Sequence, residues 1–151
     1  MAQTRYAPRK LEFETLVKLL VEEHSAMREG LLKVRRAAES ASFQEASMAL
    51  QEVDRVFRQH IADEEASVLR ILIGDLGVKG AEQEIKIFQQ HRPIHQLMKQ
   101  VAELASMTAS DLAGEQAKLL ALLEEHTAAE EGRVFPRALS SYKKKQAPHG
   151  R

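Results

Sequence analysis

His60-Ile61-Ala62-Asp63-Glu64-Glu65 and His126-Thr127-Ala128-Ala129-Glu130-Glu131 are two copies of one pattern: an imidazole, then carboxylates four and five residues later. Each copy sits in a longer run whose inward residues recur at steps of three and four, the period of an amphipathic helix. Around the first copy the series is Ala46, Leu50, Val53, Phe57, His60, Glu64, Val68, Ile71; around the second it is Leu119, Leu123, His126, Glu130, Val134. Residues four apart on a helix differ by about 40° in azimuth, so His60 with Glu64, and His126 with Glu130, can reach one centre. Glu65 and Glu131 sit one residue further on, turned about 140° from their histidines. They read as solvated carboxylates or as supports behind the inward groups.

Two further helical segments flank these. One, from about Arg9 to Glu39, places Phe13, Leu16, Leu20, His24, Met27, Leu31 and Val34 on one face. The other, from about Ala81 to Met107, aligns Phe88, His91, His95, Met98, Ala102 and Ala105. The breaks between segments carry turn chemistry. Ser42-Phe43-Gln44-Glu45 has the form of a capping box, Gly74 to Gly80 contains three glycines, and Ser110-Asp111 offers a helix N-cap. No run alternates with the period of a strand. Four helices with short connections predict an all-α, up-down-up-down antiparallel four-helix bundle. One domain spans 1–151, with the bundle over about 9–142 and a solvated tail over 143–151 that holds Lys143-Lys144-Lys145. Leu19 to His24 also echoes Leu122 to His126, which fits two pseudo-symmetric halves.

Composition narrows the chemistry. With 22 basic and 22 acidic residues in 151, the chain lacks the basic footprint of a nucleic-acid binder. It has no cysteine, which excludes disulfides, thiolate zinc sites and iron–sulfur clusters held by this chain. No apolar run approaches the roughly 20 residues of a membrane span, and the start of the chain does not read as a signal peptide. A cytoplasmic location is expected.

The imidazoles and carboxylates then require an explanation. A lone core histidine is commonly satisfied by a neighbouring polar group, and a buried carboxylate is costly unless paired or metal-bound. His24, His60, His91, His95 and His126 with Glu64 and Glu130 put seven such groups on the inner faces of four helices. Shared metal ions satisfy them collectively. Imidazole with carboxylate suits iron, zinc or manganese, and seven ligands exceed one tetrahedral site. Pro93, between His91 and His95, implies that the third helix kinks or restarts there. Leu20, Met27, Phe57, Ile61, Ile94, Met98 and Leu123 are core residues placed to wall the site. His149, in the tail, is not a ligand, and Tyr6 and Tyr142 lie too near the ends for a redox role.

The ordered set resembles the hemerythrin-like family, specifically its HHE cation-binding domains, over nearly the whole chain. The carrying motifs are His24, then His60 with Glu64, then His91 with His95, then His126 with Glu130 in the stretch from His126 to Pro136. The resemblance implies two iron ions, oxo- or hydroxo-bridged. One would be held by His91, His95 and His126 and the other by His24 and His60, with Glu64 and Glu130 between them. In the oxygen-carrying members the last acid is an Asp five residues after its histidine, so Glu131 stands as the alternative to Glu130. The resemblance further implies a carrier, sensor or store for dioxygen, nitric oxide or peroxide, with electrons from an external donor. The alternatives are a di-iron enzyme acting on nitric oxide or peroxide, an iron donor for cluster repair, a metal-responsive interaction module, and a metal-free structural bundle.

Overall fold

The computed structural model describes residues 6–104 and 109–146. The expectations for Ala105, Met107 and His149 lie outside these residues. The described chain is helical from Phe13 onward: α1 (Phe13–Glu39), α2 (Phe43–Asp63), α3 (Leu69–Gly80), α4 (Glu82–Gln89), α5 (His91–Leu104), α6 (Ala109–Ala129) and α7 (Phe135–Gln146). A π-helical turn, Glu64–Val68, joins α2 to α3, and another, Glu130–Val134, joins α6 to α7. The elements line up as four rods: α1, α2–α3, α4–α5 and α6–α7. α1 packs on α2 and α6, and α5 packs on the same two, so consecutive rods are neighbours around the bundle. Among the described residues no helix is long and apolar enough to cross a membrane.

The inward series of α1 and α6 are as the periodicity predicts, every member being buried. The second rod departs from it after the π turn, where Leu72 and not Ile71 is buried. The reason is geometric. Four residues of α-helix overshoot one turn by about 40°, so a line of steps of four drifts off its face. An i to i+5 turn widens the helix and cancels that drift. The buried lines are therefore strict steps of four: His60, Glu64, Val68, Leu72 and His126, Glu130, Val134, Ala138.

Two connections differ from expectation. Ser42 forms no side-chain cap. Its backbone N–H instead donates to Ala37 O at 2.8 Å, and Ala41 N–H donates to Ala38 O at 3.0 Å. These two bonds close a Schellman turn around Ala41, which takes φ 54. α6 begins at Ala109, ahead of the Ser110-Asp111 pair expected to cap it. The glycine-rich stretch breaks at Gly77 alone, where φ 73 and ψ 167 suit a residue without a side chain. Lys143 to Lys145, expected in a tail, are exposed residues of α7.

The core has two apolar parts. Met27, Leu31, Val34, Leu50, Val53, Phe57, Ile94, Met98, Leu119 and Leu123 belong to one. Phe13, Leu16, Leu20, Val68, Leu72, Phe88, Val134 and Phe135 belong to the other. Between them lies a layer of buried histidine and glutamate.

Candidate metal centre

Each rod supplies one buried histidine: His24 from α1, His60 from α2, His91 from the first residue of α5, and His126 from α6. Glu64 and Glu130, both fully buried, open the two π turns. Arginine–carboxylate pairs anchor those turns. Asp63, next to Glu64, accepts from the Arg9 backbone N–H at 2.7 Å and from Arg9 Nε at 2.7 Å. Buried Glu84 on α4 accepts from Arg133 Nε at 3.2 Å and pairs with Arg137 Nη1 at 2.8 Å.

The four Nε2 atoms face the two carboxylates. Glu130 Oε1 lies 2.9 Å from His24 Nε2 and 3.7 Å from His60 Nε2. Its Oε2 lies 3.4 Å from His126 Nε2 and 3.7 Å from His91 Nε2. Glu64 Oε1 stands 3.0 Å from His60 Nε2 and 3.3 Å from His91 Nε2. His24 and His60 bring their Nε2 atoms within 3.2 Å of each other. Two groups of potential ligand atoms result, one of Glu64, His91, His126 and Glu130 and one of His24, His60 and Glu130.

The outward nitrogens explain why the inward ones carry lone pairs. His60 Nδ1 donates to Glu23 Oε1 at 3.0 Å, His24 Nδ1 to Glu131 Oε2 at 2.9 Å, and His126 Nδ1 to Gln90 Oε1 at 2.8 Å. A proton fixed on Nδ1 leaves Nε2 as an acceptor, the tautomer a metal requires. Glu23 is held in turn by Arg9 Nη2 at 2.9 Å.

The chemistry of the set fits cations. Glu64 Oε1 and Oε2, His91 Nε2, His126 Nε2 and Glu130 Oε2 are buried atoms without a hydrogen-bond partner. Leaving such groups unpaired costs about 1–3 kcal/mol each, more for charged ones. Without metal the cluster attracts protons instead. Burial opposes a charge on His91, but Glu130 and Glu64 outweigh it and lift its pKa to about 9. Burial also opposes a charge on His60, and Glu64, Glu130 and Glu23 drive its pKa well above the imidazole range. Against its own burial, Glu130 is held well below the carboxylate range by Glu64, His126, His24 and His60. The raised imidazole and lowered carboxylate pKa values together describe ion pairing within the buried layer, with Glu130 kept ionised.

Residues 15–138 match the family model of the hemerythrin HHE cation binding domain. The chain belongs to that family. Comparisons with curated proteins and with solved structures gave no significant match.

In this HHE domain six of the residues singled out from the sequence converge: His24, His60, Glu64, His91, His126 and Glu130. Glu131 does not; it is 45% exposed and supports His24 from outside. His95 does not either. Its side chain is 30% exposed and its Nδ1 lies 3.8 Å from Asp54 Oδ1 on α2. The expected inward line of His91, His95, Met98 and Ala102 is corrected to His91, Ile94, Met98 and Val101, and Ala102 is exposed. The chain turns at Gln90 and α5 restarts at His91, with Ile94 N–H bonded to Gln90 O at 3.2 Å. Pro93 has no N–H to continue the preceding helix. The restart turns Ile94 inward, and burying its side chain is worth about 1.5–3 kcal/mol. Of the wall residues, Leu20, Met27, Phe57, Ile94, Met98 and Leu123 are buried and Ile61 is partly so. Sequence reasoning missed Glu23, Gln90 and Arg9. The first two directly precede His24 and His91 in the chain, which is the one signal they offered.

Proposed function

We propose that this HHE domain is a non-haem di-iron protein that binds dioxygen or a related small ligand as a carrier, sensor or store. The observation that carries the reading is the division of Glu130, whose Oε1 faces His24 and His60 while its Oε2 faces His126 and His91. In this reading His24 and His60 hold one iron and His91 and His126 the other, with Glu64 and Glu130 shared. A ferrous pair bound there supplies the electrons that a small oxidant needs. The chain's own residues set the conditions. Glu23, Glu131 and Gln90 keep three imidazoles in the ligating tautomer. Leu20, Met27, Phe57, Ile94 and Leu123 exclude water from above and below the polar layer. A surface groove of about 660 Å³, lined by apolar Ile61, Leu69, Ile85 and Phe88 and by Glu65, Gln89, Arg92 and His95, reaches His91 and gives a small molecule a route toward the centre. The same reading expects a cytoplasmic protein served by an external electron donor.

The test is to load the metal-free protein with ferrous iron under nitrogen, count iron per chain, admit air and follow the visible spectrum. A spectrum that forms in air and bleaches on deoxygenation supports reversible binding. Rapid conversion to a stable diferric spectrum instead favours an enzyme acting on dioxygen, peroxide or nitric oxide, or an iron donor. Failure to bind iron sinks the reading.

A further inference from the structure

The centre has an approximate two-fold pattern. Glu23-His24 on α1 corresponds to Gln90-His91 at the start of α5, and the two HxxxEE copies correspond to each other. The supports repeat accordingly. The residue preceding each single histidine reaches the outer nitrogen of a neighbouring histidine: Glu23 reaches His60 at 3.0 Å and Gln90 reaches His126 at 2.8 Å. The second glutamate of each copy faces the remaining outer nitrogen. Glu131 reaches His24 at 2.9 Å, but Glu65 stops 4.0 Å from His91 Nδ1, which is buried and has no hydrogen-bond partner. The symmetry is thus broken at two of four supports. The His24–His60 half has two carboxylates behind its imidazoles. The His91–His126 half has one neutral amide.

We infer that Glu23 and Glu131 are positioning residues that make the two halves unequal, so that the His24–His60 half holds its cation more tightly and releases it more slowly. The inference rests on the two-cation reading above and adds a ranking to it. A carboxylate accepting the Nδ1 proton orients the ring and increases the donor strength of Nε2 through a charge-assisted bond, whereas an amide orients without adding charge. His91 Nδ1 has neither kind of support, its ring being held only by edge contacts with Phe57, Phe88 and His126. It also lines the groove between α2–α3 and α4–α5, so its half is the one with a way out. Ligand number does not reverse the ranking. Glu64 groups with His91 and His126 as a potential ligand, yet its Oε1 lies 3.0 Å from His60 Nε2 and 3.3 Å from His91 Nε2, and Glu130 likewise faces histidines of both halves.

The experiment loads the metal-free chain with Co²⁺, counts cations per chain, then adds excess chelator and follows loss of the visible cobalt absorption. Two cations released in two phases are expected. Glu23→Gln and Glu131→Gln each speed the slow phase by about tenfold or more and leave the fast phase within about twofold. Gln90→Glu slows the fast phase. A purely structural role would move both phases together. Gln90→Glu adds a carboxylate at a partly exposed position, so it keeps the test decisive if Glu23→Gln does not fold. Two cations leaving in a single phase, or Glu131→Gln acting on the fast phase, would overturn the inequality alone. Fewer than two cations bound at loading would overturn the two-cation reading beneath it.

Discussion

Glu130 Oε1 contacts His24 Nε2 at 2.9 Å although 106 residues separate them in the chain. The same carboxylate faces His126, one turn before it on its own rod, through Oε2 at 3.4 Å. A single side chain therefore joins the first rod to the last. It is also the one residue common to both groups of potential ligands. The neighbouring Glu131 contacts His24 from the solvent side and belongs to neither group.

Glu130→Gln is accordingly expected to impair both cation positions, reducing bound iron from two per chain toward none, while Glu131→Gln retains two at saturating iron. Elemental analysis of anaerobically loaded protein makes the measurement. Retention of iron by Glu130→Gln with loss in Glu131→Gln would transfer the shared role to Glu131.

His91 and His95 give the sharpest contrast between neighbours on one helix. His91→Ala removes a ligand from the four-residue group and is expected to lose at least one iron per chain. His95→Ala changes a side chain 30% exposed beside Asp54. It should keep the iron content of the parent and shift stability by no more than about 0.5 kcal/mol, as exposed substitutions usually do. Equal iron loss in both variants would put His95 back among the ligands.

The distinction between those two histidines shows where the sequence stops being legible. The four rods, the buried faces of α1 and α6 and the pairing of His60 with Glu64 and of His126 with Glu130 all follow from helical spacing. Ile94 and His95 are separated by only about 100° of azimuth. Which of them turns inward depends on the restart after Gln90, a backbone event that spacing does not encode. The π turns are similar. The strict steps of four through Val68 and Leu72, and through Val134 and Ala138, are their trace in the sequence, yet such steps also occur by chance. Glu23 and Gln90 act across a helix interface on a partner's outer nitrogen. Their role depends on how α1 and α5 sit against α2 and α6. Arg9 stands at the edge of the first periodic segment, but α1 begins only at Phe13, so helical spacing does not report its contacts.

The metal-free protein should lose stability as pH rises from neutral. His91 has a folded pKa of about 9 against a reference of 6.5. The folded state therefore binds this proton more tightly, and its contribution is complete below the unfolded pKa and lost as pH climbs through about 9. His60 shifts in the same direction and adds to the effect. At about 1.4 kcal/mol per pH unit, His91 alone is worth ~3 kcal/mol at most. Glu130 acts at the other end, its contribution being lost as acid protonates it. Metal binding requires neutral imidazoles and displaces these protons. The stabilisation that Co²⁺ adds should therefore grow between pH 6 and 8 while the metal-free Tm falls. Thermal unfolding by circular dichroism in both states measures this, and a metal-free Tm that rises over that interval would contradict it.

The α1–α2 connection carries an avoidable strain. Ala41 adopts φ 54 at the position of the Schellman turn that glycine usually fills. A left-handed conformation costs a residue with a Cβ about 1–2 kcal/mol. Ala41→Gly removes this, less the greater freedom glycine has when unfolded. A net gain of about 0.5–1 kcal/mol is expected, or about 1–4 °C in Tm for a chain of this size. An unchanged or lower Tm would mean that the turn is not held in this form in solution.

Gly30 makes the opposite demand on the same pair of helices. A Cβ built there would overlap Val53 Cγ2, and Val53 is buried in the core. Alanine at this position improves helix propensity by about 1 kcal/mol. It also overfills the interface, and overpacking costs about 1–3 kcal/mol. The packing term should prevail, because α1 and α2 also fix the 3.2 Å approach of His24 Nε2 to His60 Nε2 less than two turns away. Gly30→Ala is expected to destabilise the fold by about 1–2 kcal/mol and to weaken cation binding at the His24–His60 half. Val53→Ala makes room for the new methyl group, so the double variant should be more stable than the two single effects predict, with a coupling of about 1 kcal/mol. Strict additivity would show that the helices can separate without penalty. In that case the spacing of the two histidines is set by the cation and not by the packing of Gly30 on Val53.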